Sequence, residues 1–258
     1  MYELENKYVP SSRRFGFVNW IGVWHLYKKE ILRFLTVWAQ TLFAPMITSI
    51  LFLLVISLAI GNERGNVLGV SFINFLAPGL IAMQIIQQAF SHSSSSLLMG
   101  KIMGNIVDMI AAPLSPGEVT ISIIFASITR ALMIAIASII VFSFLIDIEI
   151  NNILYIIIYI FLSSFILGAA GFVAGLWAEK FDHMATVTNF FIVPLSFLSG
   201  TFYSVDKLPN FLQLISKFNP FFYMIDGFRY GFIGNSDGSI TFGLIYLSLL
   251  CIITWFVS

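Results

Sequence analysis

Charge is what this sequence has least of. Only 10% of its 258 residues are Asp, Glu, Lys or Arg, against 59% hydrophobic, whereas a soluble domain carries about 25% charged residues. With a mean hydropathy of +0.94, that shortfall excludes a soluble globular protein. The 13 basic and 13 acidic residues cancel, so net charge gives no reason to expect a nucleic-acid partner. The single cysteine, Cys251, sits in an apolar run, which excludes an intrachain disulfide and indicates no redox chemistry. There is no GxxxxGK(S/T) phosphate loop: the Gly100-Lys101 pair is followed by isoleucine and has serine where the upstream glycine must be. None of the three histidines opens an HExxH, and there is no GxSxG elbow. The first seven residues are polar and acidic, unlike a secretory signal. Few ionisable groups fall inside the apolar runs, so a proton or sodium relay is poorly supplied. These absences disfavour a polytopic membrane enzyme or an ion-coupled transporter, which stay as alternatives. No catalytic residue and no metal or cofactor site is assigned to this chain.

Apolar runs, by contrast, are plentiful. Segments at about 36–60, 71–90, 119–146, 153–177, 186–202 and 240–258 approach or exceed the ~20 residues a membrane helix needs. The expected fold is therefore all-α, one polytopic membrane domain of six transmembrane helices over 1–258. Kinks are expected at Pro45 and Pro78-Gly79. Before the first span, Trp20, Val23, Trp24, Tyr27, Ile31, Phe34 and Leu35 share one helical face, with Lys28, Lys29 and Arg33 on the other side and His25 near them. That pattern predicts an N-terminal interfacial helix over 17–35; a basic flank that merely orients the first span is the alternative. Gln84, Gln87 and Gln88 come late in span two, as interhelical glue, as water-facing ends or as substrate contacts.

Residues 97–110 read as a short separate helix, with Leu98, Ile102, Ile106 and Met109 on one face and Lys101, Gly104, Asn105 and Asp108 on the other. The sequence Ser115-Pro116-Gly117-Glu118 then reads as a capping box opening span three. Arg130 lies twelve residues into that span. It either snorkels to the headgroups or faces the bundle as a cation awaiting an acidic partner or an anionic substrate. Span four holds GAAGFVAG, with Gly171 and Gly175 four apart, a small-residue stripe for close helix approach to a partner in this chain or in a second copy. Glu179, Asp182 and His183 on the following loop are read as solvated, with a metal site the alternative.

Residues 194–234 are too apolar for an ordinary loop and too broken for one span. Pro194, Gly200, Pro209 and Asn219-Pro220 interrupt two amphipathic pieces, about 208–218 and 221–233. Asp226 and Arg229, three apart, are expected to pair on one face. Six spans put both termini on one side. Six basic residues precede span one, against Arg64 in the first loop, which places that side in the cytosol. The hairpin then falls outside, as a re-entrant cap on the exit or as a purely structural lid, although its own Lys207, Lys217 and Arg229 run against the charge rule. The chain reads as ending at or inside span six, with a few residues expected beyond it.

Several segments together resemble a known family: YKKEILRFLTVWAQTLFAPMI from Tyr27, FLAPGLIAMQIIQQAF from Phe75, IVDMIAAPLSPGEV from Ile106, PLSFLSGTFYSVDKLP from Pro194 and NPFFYMIDGFRYGFIG from Asn219. In this order they are similar to the permease subunits of ABC-2 type exporters, the bacterial family of drug, polysaccharide and lipo-oligosaccharide exporters. The resemblance implies an exporter in the inner (plasma) membrane that dimerises and works with two copies of a separate ATP-binding subunit, which holds the ATP and Mg. It also implies that the interfacial helix and the cytosolic helix after span two meet that ATPase. Lys28, Lys29, Glu30, Arg33, Lys101, Asn105, Asp108 and Glu179 are then the coupling contacts, while Arg130, Asp226 and Arg229 are pathway or gate residues.

Overall fold

The computed structural model describes residues 16–60 and 65–258. Lys7, Arg13, Arg14, Glu63 and Arg64, which enter the charge-based orientation, lie outside them. Helix accounts for 80% of the structure, and no β-strand occurs among the described residues. The helices are α1 (Trp20–Thr36), α2 (Ala44–Ile60), α3 (Phe72–Ile102), α4 (Ile106–Ala111), α5 (Pro116–Ser143), α6 (Ile153–Trp177), α7 (Phe181–Val187), α8 (Val193–Leu198), α9 (Asn210–Phe218), α10 (Pro220–Ile233) and α11 (Ile240–Val257). Five helical stretches are long and apolar enough to cross a membrane: Ala39–Ala59 and helices α3, α5, α6 and α11.

Pro45, expected to kink its helix, and Pro194, expected to interrupt one, are both absorbed instead. Wide π-turns at Ala39–Phe43 and Thr188–Ile192 join α1 to α2 and α7 to α8, each ending just before a proline, Pro45 or Pro194. Proline cannot donate to the carbonyl four residues back, so the ladder loosens by one residue there and the helix continues. The Thr41 hydroxyl adds a tie across the junction, 3.2 Å from the Phe34 oxygen and 3.1 Å from that of Val37. Pro194 therefore does not end the helix. The interruption falls at Ser199 and Gly200, where φ is +77°, a backbone region that favours glycine.

The separate helix expected over 97–110 is also revised. Helix α3 runs unbroken through the serine run to Ile102, and only the turn at Gly104, φ +76°, separates it from the short α4. The serines do not stop it because their hydroxyls bond back into the same helix, Ser94 to the Ser91 carbonyl at 3.3 Å and Ser95 to that of His92 at 3.1 Å. Their small size is used by α6. Gly171 packs on the Phe90 carbonyl, and a Cβ at Gly175 would sit 2.8 Å from the Ser94 oxygen. The small-residue stripe thus serves α3 of the same chain.

Helix α3 is the central rod, largely buried among α5, α6 and α10, whereas α2 and α11 keep most of their surface outside. At one end of the bundle lie the end of α3, α4, the start of α5 and the end of α6; Lys101 of α3 reaches the Leu176 and Ala178 carbonyls there. At the other end α10 meets the start of α6 through Asn152 N–H to the Gly231 carbonyl, 2.8 Å, and the Tyr159 hydroxyl reaches the start of α11 at Ile240, 3.2 Å. Trp255 returns near the end of α11 to Gly117 at the first end. Helix α1 lies lengthwise along α5, because its contacts advance in step: Asn19 with Glu118, Val23 with Ser122, Tyr27 with Thr129. Part of its apolar stripe is spent on α5 for that reason. Trp20, Ile21 and Trp24 remain exposed.

Candidate functional site

The first end of the bundle carries a polar platform. The Ser115 hydroxyl and Glu118 carboxylate close a capping box at the start of α5. The Glu118 carboxylate accepts a further bond from the Asn19 N–H, so one acid fixes both helix starts. The Asn19 amide donates to the Pro113 carbonyl at 3.0 Å and clamps the loop before α5 onto α1. Between α1 and α4 this leaves a groove of about 350 Å³ with Lys29 and Asp108 on its walls. Lys28, Lys29, Asn105, Asp108 and Glu179 stand exposed. The Glu179 N–H donates to His183 Nδ1 at 3.4 Å, and that ring lies against Trp177, 5.2 Å between centroids.

Three of the residues expected on this surface are engaged within the chain. Lys101 spends its ammonium on the terminal carbonyls of α6, where a cation complements the negative helix end. Glu30 is 1% exposed and points into the bundle. Its Oε2 accepts from Arg33 Nε at 2.9 Å and from the Ser96 hydroxyl at 2.7 Å, and lies 3.9 Å from His92 Nε2. Arg33 also donates to the His92 carbonyl at 3.2 Å. Helices α1 and α3 are thereby riveted by a buried charge cluster. Sequence reasoning overlooks His92 and Ser96 in this role, since neither has a pattern of its own; the Glu30–Arg33 spacing of three is the available signal.

The rivet makes a prediction. Glu30→Gln keeps the shape and one oxygen acceptor but takes the anion from Arg33 and weakens both bonds at that oxygen, at a cost of about 1–3 kcal/mol. Thermal unfolding of the purified chain in detergent, read by tryptophan fluorescence, should show a lower Tm; an unchanged Tm would mean that the cluster contributes nothing to stability.

Midway along the bundle, Arg130 turns toward α3. It is 7% exposed and faces inward, donating to Gln88 Oε1 of α3. Gln84 serves as glue, its amide nitrogen 2.8 Å from the Ser49 hydroxyl and 3.2 Å from the Pro45 carbonyl of α2. Beside them a cavity of about 520 Å³ opens between α1, α2, α3 and α5.

At the far end, α10 is packed inside protein, with every residue from Phe221 to Arg229 buried. Asp226 and Arg229 do not pair, contrary to the expectation from their spacing. The Asp226 carboxylate accepts the backbone N–H groups of Asp237 and Gly238 at 3.0 and 2.9 Å. Arg229 donates to the carbonyls of Phe75 (3.2 Å), Gly200 (2.8 Å) and Thr201 (3.4 Å), with its guanidinium 3.9 Å above the Phe75 ring. Backbone N–H groups of the turn after α10 hold Asp226, and carbonyls of α3 and of the Gly200 turn hold Arg229, so each charge is stabilised by backbone and the two form no ion pair.

A bundle of apolar helices with one charged platform and a buried polar seam has the make-up of a polytopic membrane protein. Sequence comparison supports that class. A family described as ABC-2 type transporter matches residues 22–233. The chain is 32% identical to the inner membrane transport permease YadH of Escherichia coli K12, over 92% of this chain and 94% of that one. It is 25% identical to nodulation protein J of Neorhizobium galegae, over 94% and 92%. The chain belongs to the ABC-2 type transporter family.

Proposed function

We propose that this chain is the membrane-spanning permease subunit of an ATP-driven exporter in a bacterial inner membrane. It works as a homodimer with two copies of a separate ATP-binding subunit. The observation that carries the reading is the groove between α1 and α4, whose walls carry the exposed Lys29 and Asp108 on a molecule that is otherwise largely apolar. Such a polar platform needs an aqueous partner, and this chain has no phosphate loop of its own. Movement imposed on α4 passes through the Gly104 turn to α3, and Lys101 carries it to the end of α6. A push at the platform therefore reaches two central helices together.

A sixth crossing is supplied by the continuous rod of α7, its π-turn and α8, 181–198. It leads from the platform, beside Trp177, to the Gly200 turn that holds Arg229 at the far end. With that rod the start of α1 and the end of α11 share the platform side, and the basic residues of α1 support reading that side as cytosolic. The start of α5 extends the bundle there: 28 residues span about 42 Å, against a hydrocarbon core of about 30 Å. Helix α1, lying along that extension with Trp20 and Trp24 outward, takes the headgroup level at a tilt. The buried α10 closes the opposite, external end.

The test is purification of the tagged chain from its native membrane. A phosphate-loop subunit should come with it, and the pair should hydrolyse ATP. A chain that moved cargo alone would sink the proposal. Within the pair, Asp108→Lys should leave folding intact, because the side chain is exposed. It should nevertheless lower export and cargo-stimulated hydrolysis at least about tenfold, since a like charge facing Lys29 or the partner repels. Normal export by that variant would remove α4 from the coupling route.

A further inference from the structure

The cavity beside Arg130 contains more donor capacity than the protein uses. Its walls include Arg33 of α1, Gln40 and Thr41 of the π-turn, Gln87 and Gln88 of α3, and Arg130 of α5. No acidic residue lines it. The charge of Arg33 is matched by Glu30, 2.9 Å away. That of Arg130 is not matched: among the described residues its hydrogen bond goes to the neutral Gln88 amide oxygen, and its Nε is buried without a partner. The Gln87 amide nitrogen is buried and unpartnered as well. Buried donors left unsatisfied are rare in folded proteins and ask for an explanation. A buried arginine without a counter-charge is more costly still.

An anionic occupant supplies the counter-charge that Arg130 lacks, and the Gln87 amide, which also lines the cavity, can turn its nitrogen toward it. We propose that this cavity binds the anionic headgroup of a phosphate-bearing amphiphile, with the Arg130 guanidinium as its principal ligand and the Gln87 amide as a second donor. A guanidinium presents parallel N–H groups that match the oxygens of a phosphate. The volume, about 520 Å³, falls within the roughly 300–1,000 Å³ range of small-molecule sites. It exceeds what one water bridge needs. Ala44, Pro45 and Thr48 of α2 also line the cavity, and on the same helix Ile47, Leu51 and Val55 are exposed. A headgroup seated on Arg130 would thus leave its acyl chains along an apolar helix face.

The proposal is tested on the full chain, without ATPase and without cargo movement, so its failure leaves the permease reading standing. Purified protein in detergent is loaded with dioleoyl phosphatidic acid, with dioleoyl phosphatidylcholine, or with inorganic phosphate alone, and retained ligand is counted by native mass spectrometry. Phosphatidic acid should be retained in preference to phosphatidylcholine, and Arg130→Gln should weaken its retention roughly ten- to hundredfold, as loss of a charge-assisted bond implies. Gln87→Leu, which leaves the cation in place, should weaken it severalfold and serves if the arginine variant does not fold. Inorganic phosphate displacing the lipid at millimolar concentration would confirm the same donors and show that the headgroup alone suffices. Equal retention of phosphatidic acid by the wild type and the variants, or equal retention of phosphatidylcholine, would overturn the assignment.

Discussion

Arg229→Met is expected to deprive the chain of a stable fold, although it removes no pair of opposite charges. Arg229 is 1% exposed and its donors serve carbonyls from two places far apart in sequence, Phe75 on α3 and the Gly200-Thr201 turn after α8. Methionine fills much of the volume but leaves those carbonyls without donors, in a region where water is scarce. Each orphaned group costs about 1–3 kcal/mol. Several such groups together take a large part of the ~5–15 kcal/mol that holds a domain together. Arg229→Lys should rescue poorly, since one ammonium cannot reproduce a planar fork that bridges two segments and stacks on the Phe75 ring. Gly79 belongs to the same device: a Cβ there would lie 2.6 Å from both Arg229 Nη2 and the Thr201 oxygen. The measurement is monodispersity and protease resistance of the detergent-purified variant. A monodisperse Arg229→Met protein with the wild-type Tm would show that the carbonyls find other donors.

The helical class of the chain is plain from the sequence because it depends on run length and periodicity, both one-dimensional. The Ser115–Glu118 capping box is legible for a similar reason: its partners are three residues apart, and nothing distant competes for them. What escapes is the choice of partner across the fold. Asp226 and Arg229 have the spacing of a pair, yet backbone groups at 237–238 and 200–201 outbid the local contact. Lys101 and Glu30 have the charge of surface contacts, yet the end of α6 and the Arg33–Ser96 seam claim them. The serine run resembles a linker only until the glycines of α6 are known to need a narrow face opposite them. The cavity at Arg130 is intermediate. The intramembrane arginine signals it, while the glutamines around it acquire meaning only once α1, α2 and α3 are in place.

That narrow face carries the second large prediction. Gly171→Leu should separate α3 from α6 and unfold the bundle, and even Gly171→Ala should destabilise it. A methyl group at 171 meets the carbonyl oxygen of Phe90 and the backbone beside it, and backbone cannot rotate aside as the tip of a side chain does. Overpacking of a fitted core costs about 1–3 kcal/mol, occasionally more. Here it is imposed on the two central helices, and neighbouring sites offer no relief. Gly168 abuts Ser127 of α5, and Gly175 abuts Ser94 and Leu97 of α3. Ile157→Leu, on the exposed side of α6, is the matched control and should be neutral. The same experiment separates the two possible partners of a small-residue stripe. If Gly171 met a second copy, leucine would dissociate an assembly and leave each chain folded, with unchanged Tm and a smaller particle. Because the stripe lies against α3 of its own chain, the expected result is the reverse: a lower Tm at every protein concentration, with aggregation rather than a clean monomer. A folded, smaller particle would move the stripe from the core to an interface between copies.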